Sequence, residues 1–448
     1  MRRTVLLLTM MGAMLLALSG VVLAQQSGPD RTASGDGEQQ AAAEKSAGHV
    51  VPGRYIVVLK GDVNARNVAE AHDRAFGAEV TSIYQHALHG YAAKISSAKL
   101  DDVRSDPRVQ FVQPDRTAVA YEQKLPTGVD RIDAEKSPTA KIDANGTDER
   151  VDVDVAVIDT GINQTHPDLN VAGGRNFATW GSPNNKYEDG NGHGTHVAGT
   201  IGALDNKDGA VGVAPGARLY GVKVLSNSGT GYVSWIINGI DWVTANADTI
   251  DVANMSLGGS GSDSSCGSRD AYHTAICNSV AAGVTYTAAA GNSNADLQNF
   301  VPATYSEVLT VTAASDSNGN PGGTGPAPDC RTGEKDDYAA TFSNYATSPD
   351  QAHTIAAPGV CIFSTWKSGG YNTISGTSMA SPHIAGAAAL YKAKNPTASP
   401  AQVMNTLRND AETRTNDRSL SSYYGFTGDP NTPNGPRYYG FLGYAGGY

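Results

Sequence analysis

Beyond residue 150 the sequence alternates short apolar segments with longer helix-like ones, and this alternation restricts the fold more than any other feature. Strand-like segments occur at VDVDVAVIDTG, RLYGVKVL, DVANMSL, GVTYTAAAG, VLTVTAA and HTIAAPG, and helix-like segments at 194–203, 232–246, 270–282 and 378–394. Parallel strands need crossover connections of this kind. We therefore expect an α/β fold with an open, mostly parallel sheet, helices on both faces, and a functional site at the carboxyl ends of the strands.

The composition is that of a large folded protein, and the N-terminal segment indicates export from the cell. The chain has 448 residues, 40% hydrophobic and 17% charged, and its formal net charge of −11 argues against a nucleic acid partner. Residues 1–24 combine two arginines, an apolar run and a small-residue end, which predicts a secretory signal peptide. An uncleaved membrane anchor is the alternative for this segment. We expect an extracellular monomer with no membrane attachment once the signal peptide is removed.

Two further segments precede the α/β region. Residues 25–49 are polar, small and aperiodic, which predicts a disordered linker. From residue 53, segments such as RYIVVLK, NVAEAHDRAFGAEV and VQFVQPD predict a small two-layer β-α-β-β-α-β unit. The predicted domains are the signal peptide at 1–24, the linker at 25–49, the small unit at 50–121 and the α/β domain at 122–448.

Polar side chains with catalytic chemistry fall at strand ends or helix starts. Asp159 follows VAVI, Asn292 follows VTYTAAAG, and Ser378 opens the helix-like SMASPHIAGAAALY. GHGTHVAGT adds His193 and His196, whose spacing is one residue shorter than that of the common zinc helix motif. A serine becomes a nucleophile when a histidine accepts its proton and a carboxylate orients that histidine. Taken singly, each residue has a structural alternative as a turn former or helix cap.

The order of these groups along the chain separates known hydrolase classes. Asp, His, Ser differs from the α/β-hydrolase order Ser, acid, His and from the chymotrypsin-like order His, Asp, Ser, and GTSMA is not the G-x-S-x-G elbow. The blocks VAVIDTGIN, GHGTHVAGTIG, MSLGG, AAAGN and GTSMASPHIAG resemble the signature blocks of the subtilisin-like serine proteases. A catalytically inactive relative used for binding and a carbohydrate- or lipid-cleaving hydrolase are the alternatives.

The resemblance implies an endopeptidase that cleaves protein or peptide substrates through an acyl-enzyme intermediate, with no cofactor for the chemistry. Carried over residue by residue, Asp159 orients His193, His193 is the general base, and Ser378 attacks the carbonyl carbon. The Asn292 side-chain amide and the Ser378 N–H then bind the oxyanion. His196 is left with a structural role.

Two of the blocks resemble the segments that line the primary specificity pocket of the family. The implied substrate-binding residues are Ser256, Leu257, Gly258, Gly259, Ala290 and Gly291. Glycine leaves room for a large side chain, and no acidic cluster replaces these segments. We therefore expect broad specificity, with a preference for large apolar or aromatic residues before the cleaved bond (P1) rather than for dibasic sites.

The loop ALDNKDGAVGVAPG keeps the length of the calcium loop of the family. The resemblance implies a structural calcium ion bound by the side chains of Asp168 and Asn206 and by the carbonyl oxygens of Leu204, Asp208 and Ala210. Gln123 is the candidate for a sixth ligand. A solvated turn rich in Asp and Asn is the alternative.

Four cysteines in an exported chain predict two disulfides. Proximity in sequence favours the pairs Cys266–Cys277 and Cys330–Cys361, because short loops close most easily. Four free buried thiols are the alternative.

The small unit at 53–118 resembles the inhibitory propeptide of the family, which also assists folding of the protease. The resemblance implies a zymogen whose own propeptide is an intramolecular inhibitor, with a stable extra binding domain as the alternative. Cleavage after Ala120 or Tyr121 predicts a mature N-terminus within about three residues of Glu122.

Overall fold

The computed structural model describes residues 50–61, 63–116, 123–143 and 148–448. The described residues belong to two compact units, 50–116 and 123–448. The predicted signal peptide, the predicted linker and the predicted boundary between residues 121 and 122 lie outside this part of the chain. Within it, no helix has the length and apolar character that a membrane crossing requires.

The small unit has the predicted β-α-β-β-α-β order. Its elements are β1 (Val50–Leu59), α1 (Ala65–Phe76), β2 (Glu79–Tyr84), β3 (Gly90–Lys94), α2 (Leu100–Arg104) and β4 (Val109–Arg116). The strands form one antiparallel sheet in the order β2-β3-β1-β4. Helix α1 begins after Asn64, whose side chain accepts a hydrogen bond from the Asn67 N–H at 3.1 Å, and ends at Gly77 in the left-handed conformation.

The larger unit is built around one mostly parallel sheet. Its elements are α3 (Thr127–Arg131), β5 (Asp154–Asp159), β6 (Val171–Asn176), α4 (His193–Gly202), β7 (Arg218–Lys223), α5 (Val233–Thr244), β8 (Val252–Met255), β9 (Gly259–Ser260), α6 (Ala271–Ala281), β10 (Thr285–Ala289), β11 (Phe300–Val301), β12 (Val308–Ser315), β13 (Tyr338–Ala339), β14 (Thr354–Pro358), β15 (Ile362–Trp366), β16 (Gly370–Ile374), α7 (Thr377–Lys394) and α8 (Pro400–Thr415). The sheet order is β13-β12-β10-β8-β5-β7-β6, with β14 also paired to β12.

Both faces of this sheet are buried, as the continuously apolar strands predict. Along β5, Val155 and Val157 pack into the core cluster that holds α4 and α7, whereas Ala156 and Ile158 pack into the cluster that holds α5 and α6. The structure confirms the predicted α/β fold with helices on both faces, and it places the ends of β5 and β10 at the same edge of the sheet.

The structure also contains elements that the sequence analysis missed. These are the strands β6 and β13 of the main sheet, the helices α3 and α8, and two short antiparallel ribbons, β9 with β11 and β15 with β16. Short ribbons carry little periodic signal, because two to five residues do not establish an alternation.

Both predicted disulfides are present, Cys266–Cys277 and Cys330–Cys361, and the described residues contain no free cysteine.

Candidate active site

The carboxyl end of β5 places Asp159 against the first residue of α4. Asp159 is completely buried, and its Oδ1 accepts hydrogen bonds from His193 Nδ1 at 2.7 Å and from the Thr160 N–H at 2.7 Å. An ionised carboxylate only accepts, so Nδ1 carries the proton and Nε2 is left as the basic nitrogen. The two residues that the sequence analysis paired therefore meet in the structure.

Helix α4 has no side-chain cap at Gly192, and the buried Asp189 supplies the acceptor. Asp189 Oδ1 accepts hydrogen bonds from the Gly192 N–H at 2.8 Å and the Thr160 hydroxyl at 2.9 Å. Its Oδ2 accepts the Thr195 N–H at 2.9 Å. A carboxylate at a helix start is stabilised by the free N–H groups and the helix dipole. Asp189 thus fixes the helix that carries His193, a role that the sequence analysis missed although an aspartate before a helix start is a capping signal.

Opposing effects set the pKa of His193. Burial lowers the pKa of the imidazole, but the charge of Asp159 and its hydrogen bond raise that pKa by more, so it lies above its ordinary value. Burial lowers the pKa of His196 to about 3, and His196 Nε2 donates to the Ile362 carbonyl oxygen at 2.9 Å. Of the two histidines, only His193 can exchange a proton near neutral pH.

Ser378 is the second residue of α7 and lines the same cleft as His193. Its hydroxyl donates to the Ser256 carbonyl oxygen at 3.3 Å, and the Ser256 hydroxyl donates to the Ser378 carbonyl oxygen at 2.7 Å. No hydrogen bond joins Ser378 Oγ to His193 in the described part of the chain. Transfer of the Ser378 proton to His193 would therefore require the hydroxyl to leave the Ser256 carbonyl oxygen. Hydrogen bonds between catalytic groups often form or shorten only when substrate binds.

The loop after β10 directs the Asn292 amide toward the start of α7. Asn292 Oδ1 accepts hydrogen bonds from the Thr377 N–H at 2.8 Å and from the Thr377 hydroxyl at 2.9 Å, so Nδ2 points the other way as a donor. A Cβ at Gly376 would lie 3.4 Å from Asn292 Nδ2 and 3.6 Å from Ser378 N. Both nitrogens therefore lie beside the space that Gly376 leaves open by having no side chain.

The cleft at this edge of the sheet has a volume of about 360 Å³. All six predicted substrate-binding residues line it: Ser256, Leu257, Gly258, Gly259, Ala290 and Gly291. The sequence analysis missed the walls that the two ribbons contribute, among them Phe300, Val301, Trp366 and Ile374. None of the described residues that line the cleft is acidic. The cleft therefore offers apolar walls and glycine-lined space to a substrate side chain.

The predicted calcium ligands lie together, with hydrogen bonds joining several of them. Asp168 Oδ1 accepts a hydrogen bond from Asn206 Nδ2 at 2.8 Å, and Oδ2 accepts the Ala210 N–H at 3.1 Å. Asn206 Oδ1 accepts the Asp208 N–H at 2.6 Å. Burial raises the pKa of Asp168 to about 7, against the opposing effect of the hydrogen bonds from Ala210 and Asn206. Asn206 can offer oxygen to a cation beside Asp168 only if its amide rotates.

Gln123 reaches the same loop from the start of the larger unit. Its backbone N–H donates to the Lys207 carbonyl oxygen at 2.9 Å, and its Nε2 lies 3.4 Å from the Leu204 carbonyl oxygen. Gln123 Oε1 is buried without a hydrogen-bond partner. Gln123 Nε2 also donates to the buried Asp205 Oδ1 at 2.8 Å. The amide oxygen is thus left without a partner, and amide oxygens are among the ligands that calcium binds.

Family models assign both units. The Subtilase family model matches residues 151–427, and the Peptidase inhibitor I9 model matches residues 54–119. The first match contains the Asp159–His193 pair, Asn292 and Ser378, and the second spans most of the small unit.

Individual relatives agree with the family models. The chain is 39% identical over 379 residues to subtilisin amylosacchariticus of Bacillus subtilis subsp. amylosacchariticus, which covers 83% of this chain and 87% of that protein. It is also 39% identical over 343 residues to alkaline serine exoprotease A of Vibrio alginolyticus, covering 73% of this chain and 56% of that protein.

Solved structures lead to the same family. A cold adapted subtilisin-like serine proteinase matches with a TM-score of 0.52 and 35% identity, over 71% of this chain and 97% of that chain. Sphericase matches with a TM-score of 0.57 and 31% identity, over 73% of this chain and 99% of that chain. The chain therefore belongs to the subtilase family and is a subtilisin-like serine endopeptidase with an I9-type propeptide.

Proposed function

We propose that the enzyme hydrolyses peptide bonds through an Asp159–His193–Ser378 triad. His193 Nε2 takes the proton of the Ser378 hydroxyl as Oγ attacks the carbonyl carbon, and Asp159 stabilises the imidazolium that forms. The imidazolium then protonates the leaving amine. In the second half of the reaction His193 takes a proton from the water that attacks the acyl-enzyme and returns that proton to Ser378 Oγ as the ester bond breaks. The 2.7 Å bond between Asp159 and His193, in the cleft that Ser378 lines, is the observation that carries this proposal.

The oxyanion of each tetrahedral intermediate is bound by Asn292 Nδ2 and the Ser378 N–H. The support is that both nitrogens lie beside the open space at Gly376, and that Thr377 holds the Asn292 oxygen on the other side of the amide. Casein and a p-nitrophenyl ester, with and without a serine-directed inhibitor, test the function as a whole. We expect inhibitor-sensitive hydrolysis of both; cleavage of the ester without cleavage of casein would exclude a protease.

The proposed specificity is broad, with large apolar or aromatic P1 residues preferred. The absence of acidic side chains among the described residues that line the cleft supports this preference, because Arg or Lys at P1 would find no charge partner. Chromogenic tetrapeptides that end in Phe, Leu, Lys or Arg measure it directly. The highest kcat/KM should belong to Phe or Leu, and a dominant preference for Arg would contradict the proposal.

We propose a zymogen with the propeptide at 50–121 and the mature enzyme at 122–448, released by its own active site. The PDRTAVAYEQK segment supports a cut after Ala120 or Tyr121, because either side chain at P1 agrees with the proposed preference for apolar or aromatic residues. Wild type made in a protease-free host should mature to within about three residues of Glu122. Ser378→Ala should accumulate uncut and should be processed when wild-type enzyme is added. N-terminal sequencing and intact mass decide this, and complete processing of Ser378→Ala alone would show that maturation is not autocatalytic.

A structural calcium ion completes the proposal. Asp168, Asn206 and the carbonyl oxygens of Leu204, Asp208 and Ala210 would hold it, with Gln123 Oε1 as the sixth oxygen. The support is the buried Asp168 carboxylate, which contacts Asn206 and Ala210, and the Gln123 Oε1 that has no hydrogen-bond partner. The ion would tie the start of the larger unit to this loop and has no part in the chemistry. Excess EDTA should lower Tm and speed autolysis; unchanged values would contradict the calcium site.

The signal-peptide composition of residues 1–24 supports an extracellular enzyme, and we propose that the mature protein acts there as a monomer. Fractionation of the producing culture and light scattering of the inhibited enzyme test the two statements. Activity retained with the cells, or a dimer mass, would contradict the corresponding one.

A further inference from the structure

A group of metal-binding side chains lies where the loop after β9 meets α6. The ligand atoms of Cys266, His273, Cys277 and Glu307 all lie within 4.8 Å of one another, and none of these residues lines the substrate cleft. His273 and Cys277 share one face of α6, because they are four residues apart on that helix. Cys266 belongs to the preceding loop, and Glu307 directly precedes β12.

The surroundings hold His273 in one orientation. Its side chain is 1% exposed, and its ring stacks on Tyr305 with a centroid distance of 4.0 Å. Nε2 lies 2.6 Å from Glu307 Oε2, and Nδ1 lies 3.5 Å from Asp263 Oδ1. With Nε2 on a metal ion, the Nδ1–H has Ser264 Oγ at 3.4 Å and Asp263 Oδ1 at 3.5 Å as neighbours, and metal-binding histidines usually have such an acceptor at the second ring nitrogen.

The remaining ligand atoms suit zinc. Cys266 Sγ lies 3.1 Å from Glu307 Oε1. Two sulfurs, one imidazole nitrogen and one carboxylate oxygen are a zinc set, and in a tetrahedral site such atoms are about 3.3–3.8 Å apart. The four ligand atoms already lie within 4.8 Å of one another, and the site requires the two sulfurs to separate once the bond between them is broken.

We propose that these four side chains form a Zn²⁺ site that opens when the Cys266–Cys277 disulfide is reduced. In this structure the two sulfurs are bonded to each other and offer no thiolate. A dithiol reductant breaks the S–S bond, giving two electrons and two protons to the cysteines and becoming a cyclic disulfide. Zn²⁺ then displaces both thiol protons and binds the two thiolates together with His273 and Glu307.

The disulfide and the zinc ion therefore exclude each other, and each ties the same loop to α6. Zinc adds a link to Glu307, which the disulfide does not provide. The loop leads back to Gly259 and Ser260 of β9, which line the substrate cleft. Zinc would thus hold a substrate-binding segment in place in a chain whose disulfide has not formed.

The test uses the full chain with Ser378→Ala, which prevents self-digestion. Oxidised protein and protein reduced with a phosphine are dialysed against Zn²⁺ without oxygen, and bound metal is measured by mass spectrometry. We expect one zinc per reduced chain and none per oxidised chain. Co²⁺ in place of Zn²⁺ should give the thiolate charge-transfer and tetrahedral d–d absorption bands.

Variants locate the site. Cys266→Ser with Cys277→Ser should abolish binding, and Cys330→Ser with Cys361→Ser, the matched control, should retain it. Glu307→Gln keeps the disulfide and the side-chain shape, and it should weaken zinc binding to the reduced chain about tenfold or more. Three results would overturn the proposal: no zinc in a reduced chain with native circular dichroism, zinc retained without Cys266 and Cys277, or unfolding on reduction that zinc does not prevent.

Discussion

The side-chain oxygen of Asn292 is held by Thr377, which donates to it from its N–H at 2.8 Å and from its hydroxyl at 2.9 Å. The residue before the nucleophile therefore decides which way the Asn292 amide points. Because the Thr377 hydroxyl also accepts the Gly291 N–H at 3.0 Å, it connects the loop after β10 to the start of α7. We therefore expect Thr377 to be a positioning residue that acts through Asn292.

Asn292→Ala should lower kcat by about 10²–10³-fold, a magnitude taken from the equivalent donor of a subtilisin. Thr377→Val should lower kcat by about tenfold or less, because a neutral hydrogen bond contributes about 1 kcal/mol. KM should change little in both variants, and Thr377→Ser should behave like wild type. In the Asn292→Ala background Thr377→Val should have no further effect on kcat; an additive loss would show that Thr377 does not act through Asn292.

The pH profile should report the Asp159–His193 pair. Asp159 raises the pKa of His193, so the rising limb of kcat/KM should have its midpoint above the ordinary value of 6.5. Only unprotonated His193 is a base, so activity is lost as pH falls through this midpoint. Asp159→Asn should move the midpoint to lower pH and reduce kcat by about 10⁴-fold. If the midpoint of the rising limb is the same in Asp159→Asn as in wild type, the limb reports the ionisation of another group.

Gly291 cannot accept a side chain without moving the loop that carries Asn292. Its φ is +103°, and a Cβ there would lie 2.4 Å from Asn344 Nδ2. Gly291→Ala should lower both Tm and kcat. Gly283→Ala is the matched control, because Gly283 has a φ of +110° and open space around its Cβ position. The control should lower the free energy of unfolding by about 1–3 kcal/mol through backbone strain alone, with a corresponding fall in Tm, and should leave kcat unchanged. Equal kcat in the two variants would contradict this account.

The two disulfides should differ in their contribution to stability. Cys330–Cys361 closes a loop with a separation of 31 residues, and Cys266–Cys277 one of 11. Chain entropy predicts losses of about 4 kcal/mol and about 3 kcal/mol when each pair is replaced by serine. Denaturant unfolding of the Ser378→Ala chain measures both values. A larger loss for the shorter loop would show that native-state contacts outweigh the chain-entropy term.

Sequence patterns predict the proposed catalytic residues more completely than the residues that position them. Asp159, Asn292 and Ser378 follow strands or open a helix, positions that periodicity locates, and the family blocks then assign their roles. Thr377 acts through hydrogen bonds to Asn292 and Gly291, which lie 85 and 86 residues earlier in the chain, and no local pattern encodes such partners. Asp189 accepts hydrogen bonds from the nearby Gly192 and Thr195 N–H groups, so its capping position was readable in the sequence and was missed.

The parts of the cleft wall that the two short ribbons contribute were missed for a related reason. Phe300 and Trp366 belong to ribbons of two to five residues, too short for an alternation, and the cleft forms only when the ribbons pack beside the main sheet. The family blocks predicted the six substrate-binding residues and the catalytic groups His193, Asn292 and Ser378, and all of these line the cleft.

Covalent labelling of Ser378 tests the central claim most directly. The mature enzyme is titrated with a fluorophosphonate, and digested peptides are analysed by mass spectrometry while casein hydrolysis is followed in parallel. We predict one label per chain, on Ser378, with casein hydrolysis lost in proportion to labelling and no label in Ser378→Ala or in denatured wild type. A label on another residue, or casein hydrolysis that persists after complete labelling of Ser378, would contradict the proposed mechanism.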